Sequence, residues 1–104
     1  MIFGRGRFSD VVSRQVDLFE RDYPDVIAEA RERLEAYNRG DRDEAEELYG
    51  DYVDAVETGV DILADIRDAY ARTLEEGIDE QYEREFNRAV AKRLPQFALD
   101  IENS

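Results

Sequence analysis

Residues 50–70 read GDYVDAVETGVDILADIRDAY, and the spacing of their apolar and acidic side chains decides the fold. At 100° per residue, seven apolar side chains here and in the flanking turns fall within about 40° of Val56, whereas six acids lie about 120° to 220° away. The apolar set is Ala45, Tyr49, Tyr52, Val60, Leu63, Tyr70 and Leu74, and the acidic set is Glu47, Asp51, Asp54, Asp61, Asp65 and Asp68. Opposite faces are typical of an amphipathic helix, so we expect the acids to line its solvent side.

The helix that contains this stretch is predicted to cover about residues 42–76, roughly 35 residues or about 50 Å in length. Before it, Gly40 suits the left-handed conformation that ends a helix. Asp41 followed by Glu44 forms the acidic analogue of a capping box. Gly77 is expected to end the long helix. These signals place short loops at both of its ends.

A second apolar stripe starts after Ser9, a good N-cap residue, and continues to Tyr37 at steps of three and four residues. Pro24 interrupts this stripe without changing its phase. Either one helix kinks there, or a second helix begins with Pro24 in its first turn, where a missing N–H costs nothing. The constant phase favours two nearly collinear pieces or one bent helix.

A third helical stripe covers residues 79–94, and Pro95 separates it from a short helix or docked tail at residues 97–101. An outward basic row at i, i+4 and i+8 consists of Arg84, Arg88 and Lys92. Such a row either compensates acids on neighbouring helices or forms a docking surface for an acidic partner.

Three positions on the long helix depart from the simple pattern. Arg67 lies about 20° from the centre of the apolar face, so it either extends to solvent or pairs with a carboxylate across an interface. Gly50 and Gly59 each cost close to 1 kcal/mol relative to alanine in a helix, so they are expected to permit a close approach or a bend.

Together the patterns predict an all-α fold: an elongated up-down-up bundle of three long helices, with a kink or a break at Pro24 and at Pro95. Residues 9–104 are expected to form a single domain, and residues 1–8 a flexible N-terminal arm. Wide apolar sectors and six tyrosines suit a subunit contact, which predicts a homodimer. The possible interface residues are Tyr49, Tyr52, Leu63, Arg67 and Tyr70.

Composition excludes several classes of function. With 27 acids against 14 bases the net charge is −13, so nucleic acid and anionic membranes should repel the chain. Cysteine and histidine are absent, which removes thiolate and imidazole chemistry. We therefore assign no catalytic, cofactor-binding or metal-binding residue and expect no cofactor. No targeting or membrane-spanning segment is recognisable, so a cytoplasmic protein is expected.

The basic residues include a single lysine, Lys92, and the acids divide evenly between aspartate and glutamate. Such a surface is typical of adaptation to concentrated salt, where a Debye length of about 3 Å at 1 M screens self-repulsion. A GC-rich genome produces the same preference for arginine and aspartate. Composition leaves both explanations open.

Three classes of function remain. The first is a non-enzymatic helical interaction or scaffold protein with a second copy or an unknown protein as partner. The second is a Mg²⁺-dependent all-helical carboxylate enzyme resembling a nucleotide pyrophosphohydrolase, with DEAEE (43–47) and DIRD (65–68) as candidate motifs. Both motifs lie on one predicted helix, about 27 Å apart, which argues against a shared metal site. The third is an acidic mimic of nucleic acid.

Overall fold

The computed structural model describes residues 6–104, which form five α-helices and no strand. The helices are α1 (Ser9–Asp22), α2 (Pro24–Arg39), α3 (Ala45–Ala71), α4 (Ile78–Arg93) and α5 (Ala98–Glu102), with a 3₁₀ turn at Pro95–Phe97. The molecule is all-α and somewhat elongated, measuring 53 × 26 × 23 Å. The predicted bundle of three long helices is therefore replaced by five helices. Within the described residues, no helix is both long and apolar enough to cross a membrane.

Both prolines separate helices. α2 begins at Pro24, which is the second of the two arrangements that the sequence left open there, and the short helix expected after Pro95 is α5. Tyr23, before Pro24, has φ −129° and ψ 46°, and Leu94, before Pro95, has φ −135° and ψ 64°. The proline ring crowds the preceding residue and disfavours its helical conformation, which explains why these two positions agree. As a result α1 packs mainly against α4, whereas α2 packs against α3.

The central helix, α3, has 27 residues and is shorter than predicted. Beyond its end, the amides of Thr73 and Leu74 donate to the carbonyl oxygens of Tyr70 and Ala71, three residues back. Hydrogen bonds to the residue three positions back are typical of a 3₁₀ turn, so a 3₁₀ turn follows α3. The chain then reverses at Gly77, whose φ of +91° is a conformation that a residue without Cβ adopts at low cost.

The α2–α3 connection contains the predicted capping-box pair. The Glu44 amide donates to Asp41 Oδ1 at 3.2 Å, and the Asp41 amide donates to Glu44 Oε1 at 3.5 Å. These bonds close a turn just before α3 begins. Gly40 is extended, with φ −71° and ψ 156°, so the left-handed conformation predicted for it is wrong.

The core lies where α1, the C-terminal half of α3, α4 and α5 meet. Its fully buried large side chains are Val16, Phe19, Leu63, Tyr82, Phe86, Val90, Phe97 and Ile101. By contrast, α2 contributes one buried residue, Ala30. α2 is therefore much less buried than the helices that form the core.

Residues 1–5 of the predicted N-terminal arm lie outside the described residues. Phe8, at the end of that arm, is buried and contacts two tyrosine rings edge-on. The centroid distances are 6.5 Å to Tyr70 and 5.5 Å to Tyr82. Its amide also donates to Glu85 Oε1 at 2.9 Å, which attaches this segment to α4.

Candidate functional site

The row of acids on α3 lies on the solvent side, as the sequence pattern predicts. Asp54, Asp61 and Asp65 are exposed. Glu47 and Asp65 stand on the same unbroken helix, about 27 Å apart at 1.5 Å per residue. Within residues 6–104, no three acidic side chains are grouped so that they could hold a metal ion. The candidate motifs of a carboxylate enzyme are thus not brought together on these residues.

The structure separates the five residues predicted as a possible interface. Leu63 and Arg67 are buried in the core, with 0% and 4% of their surface exposed. Tyr70 is half-buried and packs against Tyr82 at a ring-centroid distance of 4.7 Å. Tyr49 and Tyr52 remain at the surface of the α2–α3 hairpin.

Arg67 is held by acceptors within its own chain. Its Nη1 donates to Asn87 Oδ1 and to the carbonyl oxygen of Ile101, both at 3.0 Å, and its Nη2 donates to the main-chain oxygen of Ser104 at 3.0 Å. Nε donates to Asp68 Oδ1 at 2.9 Å. Carbonyls at a helix C-terminus lack partners within the helix, and the guanidinium supplies donors to that of Ile101 in α5 and to Ser104 just beyond it. Arg67 therefore fastens α5 to α3 and α4.

A cluster of apolar and aromatic side chains, four of them exposed and Tyr52 half-buried, lies on the α2–α3 hairpin and the neighbouring α5. We call it the tyrosine face, and it consists of Leu34, Tyr37, Tyr49, Tyr52 and Leu99. The exposed fractions are 37% for Leu34, 36% for Tyr37, 52% for Tyr49 and 73% for Leu99.

The members of the tyrosine face are neighbours. The ring centroids of Tyr37 and Tyr49 are 5.5 Å apart, and those of Tyr49 and Tyr52 are 6.3 Å apart. Tyr49, Tyr52, Pro95 and Leu99 line one groove of about 320 Å³ between α3 and the C-terminal segment. The face therefore combines a row of rings with a groove and a projecting leucine at its rim.

Sequence reasoning found Tyr49 and Tyr52 but did not single out Leu99 within the tail at residues 97–101. In a short helix, residue 99 lies two positions from both Phe97 and Ile101, and residues two apart do not share a face. Because Phe97 and Ile101 are fully buried, Leu99 projects outward. Helical spacing in the tail was thus the signal that could have identified it.

No protein-family model, curated protein or solved structure matches the chain.

Proposed function

We propose that this chain is a non-enzymatic helical interaction protein that forms a symmetric homodimer through its tyrosine face. The observation that carries the proposal is the exposure of Tyr49 and Leu99 on one continuous surface. Scattered exposed leucines are ordinary, but a contiguous apolar patch on a protein surface commonly marks an interaction site.

The size of the tyrosine face fits a protein interface. The exposed parts of Leu34, Tyr37, Tyr49 and Leu99 amount to about two whole side chains. At roughly 200 Å² for each large side chain, they present on the order of 400 Å² of mostly apolar surface. A standard interface buries about 800 Å² per partner, of which somewhat more than half is apolar. The apolar area available is therefore close to what one partner contributes.

A second copy is the occupant that the architecture favours. Two antiparallel helices cannot bury the outward sides of their own apolar stripes, and α2 has one buried residue. Two such hairpins packed face to face give each helix additional neighbours, as in a four-helix bundle. A two-fold axis also requires a self-complementary surface, and the tyrosine face carries both a projecting Leu99 and a groove.

The net charge of −13 opposes association of two copies. At about 0.1 M salt the Debye length is about 10 Å, and it falls to about 3 Å at 1 M. Screening removes the repulsion between exposed acids, while the apolar contact is retained. We therefore expect the dimer to become tighter as the KCl concentration rises.

Sedimentation velocity over a range of protein concentrations tests the proposal, at about 0.1 M and about 1 M KCl. The wild type should shift from a 12.1 kDa monomer to a species of twice that mass, at lower protein concentration in the higher salt. Tyr49→Arg should abolish the shift. Asp61→Asn changes the net charge by the same amount on the exposed acidic side and should dimerise like the wild type.

A wild type that stays monomeric at every concentration in both salts would contradict the homodimer. Equal dimerisation of Tyr49→Arg and the wild type would show that the contact lies elsewhere. If the monomeric wild type instead binds another protein in native extract at native salt, and Tyr49→Arg loses it, the interaction role stands with a different partner.

A further inference from the structure

The exposed side of α4 carries three cations in a line. We call this line the basic ridge, and it consists of Arg84, Arg88 and Lys92. All three side chains are exposed. At a rise of 1.5 Å per residue the ridge is about 12 Å long, or just over two helical turns. It is separate from the tyrosine face, which lies on α2, α3 and α5.

Three acids near the basic ridge bind other partners. Glu85 accepts hydrogen bonds from the Phe8 amide at 2.9 Å and from Gln81 Nε2 at 3.1 Å. On α1, Asp17 and Glu20 both accept from the Arg93 guanidinium. These carboxylates of α1 therefore neutralise Arg93 and not the cations of the basic ridge.

Within residues 6–104, no carboxylate lies within the 4.0 Å ion-pairing distance of Arg84, Arg88 or Lys92. Residues 1–5 contain no acid that could pair with them. Like charges one helical turn apart destabilise a helix. In a chain with 27 acids, the basic ridge is therefore a row of three cations that form no ion pair within residues 6–104.

The surface on both sides of the basic ridge is shallow and partly apolar. A groove of about 240 Å³ between α1 and α4 is lined by Val12, Ala89 and Glu85, and a second, of about 350 Å³, is lined by Ala91, Asn87 and Glu102. The alanines beside the cations leave room for another helix to approach α4. The ridge thus combines a row of cations with small apolar side chains and one carboxylate in each flanking groove.

We infer that the basic ridge docks an acidic helix of a partner protein, one that carries carboxylates at every fourth residue. Carboxylates at every fourth residue have the same spacing along a helix as the three cations. Each cation can therefore lie opposite one carboxylate. A short peptide helix engages the ridge locally. A nucleic acid or a second copy of this chain would bring many negative charges against a molecule of net charge −13.

The probe is a blocked alanine-based peptide with glutamate at every fourth position, and its control has glutamine at the same positions. Each is titrated into the ¹⁵N-labelled protein in about 0.15 M KCl, where the Debye length is about 8 Å. The glutamate peptide should shift amide signals of residues 84–92 and of the adjoining groove residues of α1, and the glutamine peptide should not. At about 1 M KCl the shifts should be lost, because exposed ion pairs are screened.

Arg88→Glu should weaken binding of the glutamate peptide by about fivefold or more, because an attractive exposed pair becomes a repulsive one. Arg39→Glu makes the same charge change at an exposed position on α2 and should leave binding unchanged. Far-UV circular dichroism checks that both variants are folded. Salt is expected to strengthen the homodimer formed through the tyrosine face and to weaken peptide binding to the basic ridge. Each proposal can therefore be contradicted without affecting the other.

Three results would overturn the inference. One is equal binding of the two peptides, and another is an equal effect of Arg39→Glu and Arg88→Glu. The third is a loss of homodimer in Arg88→Glu, which would make a second copy the occupant of the basic ridge.

Discussion

Replacing Gly59 by alanine should destabilise the protein, although alanine is the better helix former. A Cβ built at Gly59 lies 2.6 Å from Phe97 Cε1 and 2.7 Å from its Cζ. Carbon atoms in good contact are about 3.5–4.0 Å apart, so the ring would have to move by about 1 Å. Phe97 is fully buried and packs edge-on against Phe19 at a centroid distance of 6.2 Å. The ring therefore has little room to move.

Two opposing effects determine how much Gly59→Ala changes the free energy of unfolding. Gly→Ala in a helix interior stabilises by about 1 kcal/mol, whereas overpacking a core costs about 1–3 kcal/mol. Because the clash is with a buried ring, we expect the upper part of that range and a net loss of about 1–2 kcal/mol in the free energy of unfolding. Gly50 is the matched control, since a Cβ there meets nothing within 4 Å. Gly50→Ala should stabilise by up to about 1 kcal/mol.

Urea unfolding followed by far-UV circular dichroism, at one fixed protein and salt concentration, measures both variants. The two substitutions should change the free energy of unfolding in opposite directions, about 2–3 kcal/mol apart. In a Phe97→Leu background, Gly59→Ala should cost less, because the smaller side chain makes room for the methyl group. If Gly59→Ala is as stable as Gly50→Ala, the close approach to Phe97 does not govern this position.

Three other substitutions or conditions give measurable outcomes. Arg67→Met should lower the free energy of unfolding by about 3 kcal/mol in urea, because the buried carbonyl oxygen of Ile101 and the part-buried oxygens of Asn87 and Ser104 lose this donor; a loss under about 1 kcal/mol would contradict this role. Burial raises the pKa of Tyr82 to about 12, so its neutral form favours the folded state, and stability should fall as the pH rises from about 10 to 12. Between about pH 9 and pH 11, the free energy of unfolding of Tyr82→Phe should fall by about 1 kcal/mol less than that of the wild type. If both proteins lose the same free energy over this range, Tyr82 is not the source of the pH dependence. The melting temperature should rise between about 0.1 and 2 M KCl because salt screens the net charge of −13, and a flat curve would count against salt adaptation.

The phase of α3 could be predicted from the sequence because helical periodicity is a local property. Val56, Val60 and Leu63 are buried, and Asp54 and Asp61 are exposed, as the 100° spacing indicates. The all-α class follows from the same periodicity in each segment. The number of helices could not be predicted in the same way, because a proline within a stripe of constant phase is compatible with either a kink or a break.

Contacts between distant segments could not be predicted. The acceptors of Arg67 on the C-terminal segment lie 34 and 37 residues away, and they are main-chain oxygens, which no residue type identifies. Gly50 and Gly59 looked equivalent in the sequence, and only the packing of Phe97 against α3 distinguishes them. For the candidate site, the composition indicated exposed tyrosines, while the position of Leu99 beside them depends on how α5 docks.

The pairing of α1 with α4 has a consequence for a chain that is still being synthesised. Gln15 meets Tyr82 across 67 positions, and Asp17 meets Arg93 across 76. At about 5–20 residues per second, the ribosome needs roughly 4–14 s to add that much chain. Val12, Val16 and Phe19 of the nascent polypeptide are therefore expected to remain accessible to chaperones for seconds, while the α2–α3 hairpin can close from neighbouring sequence alone.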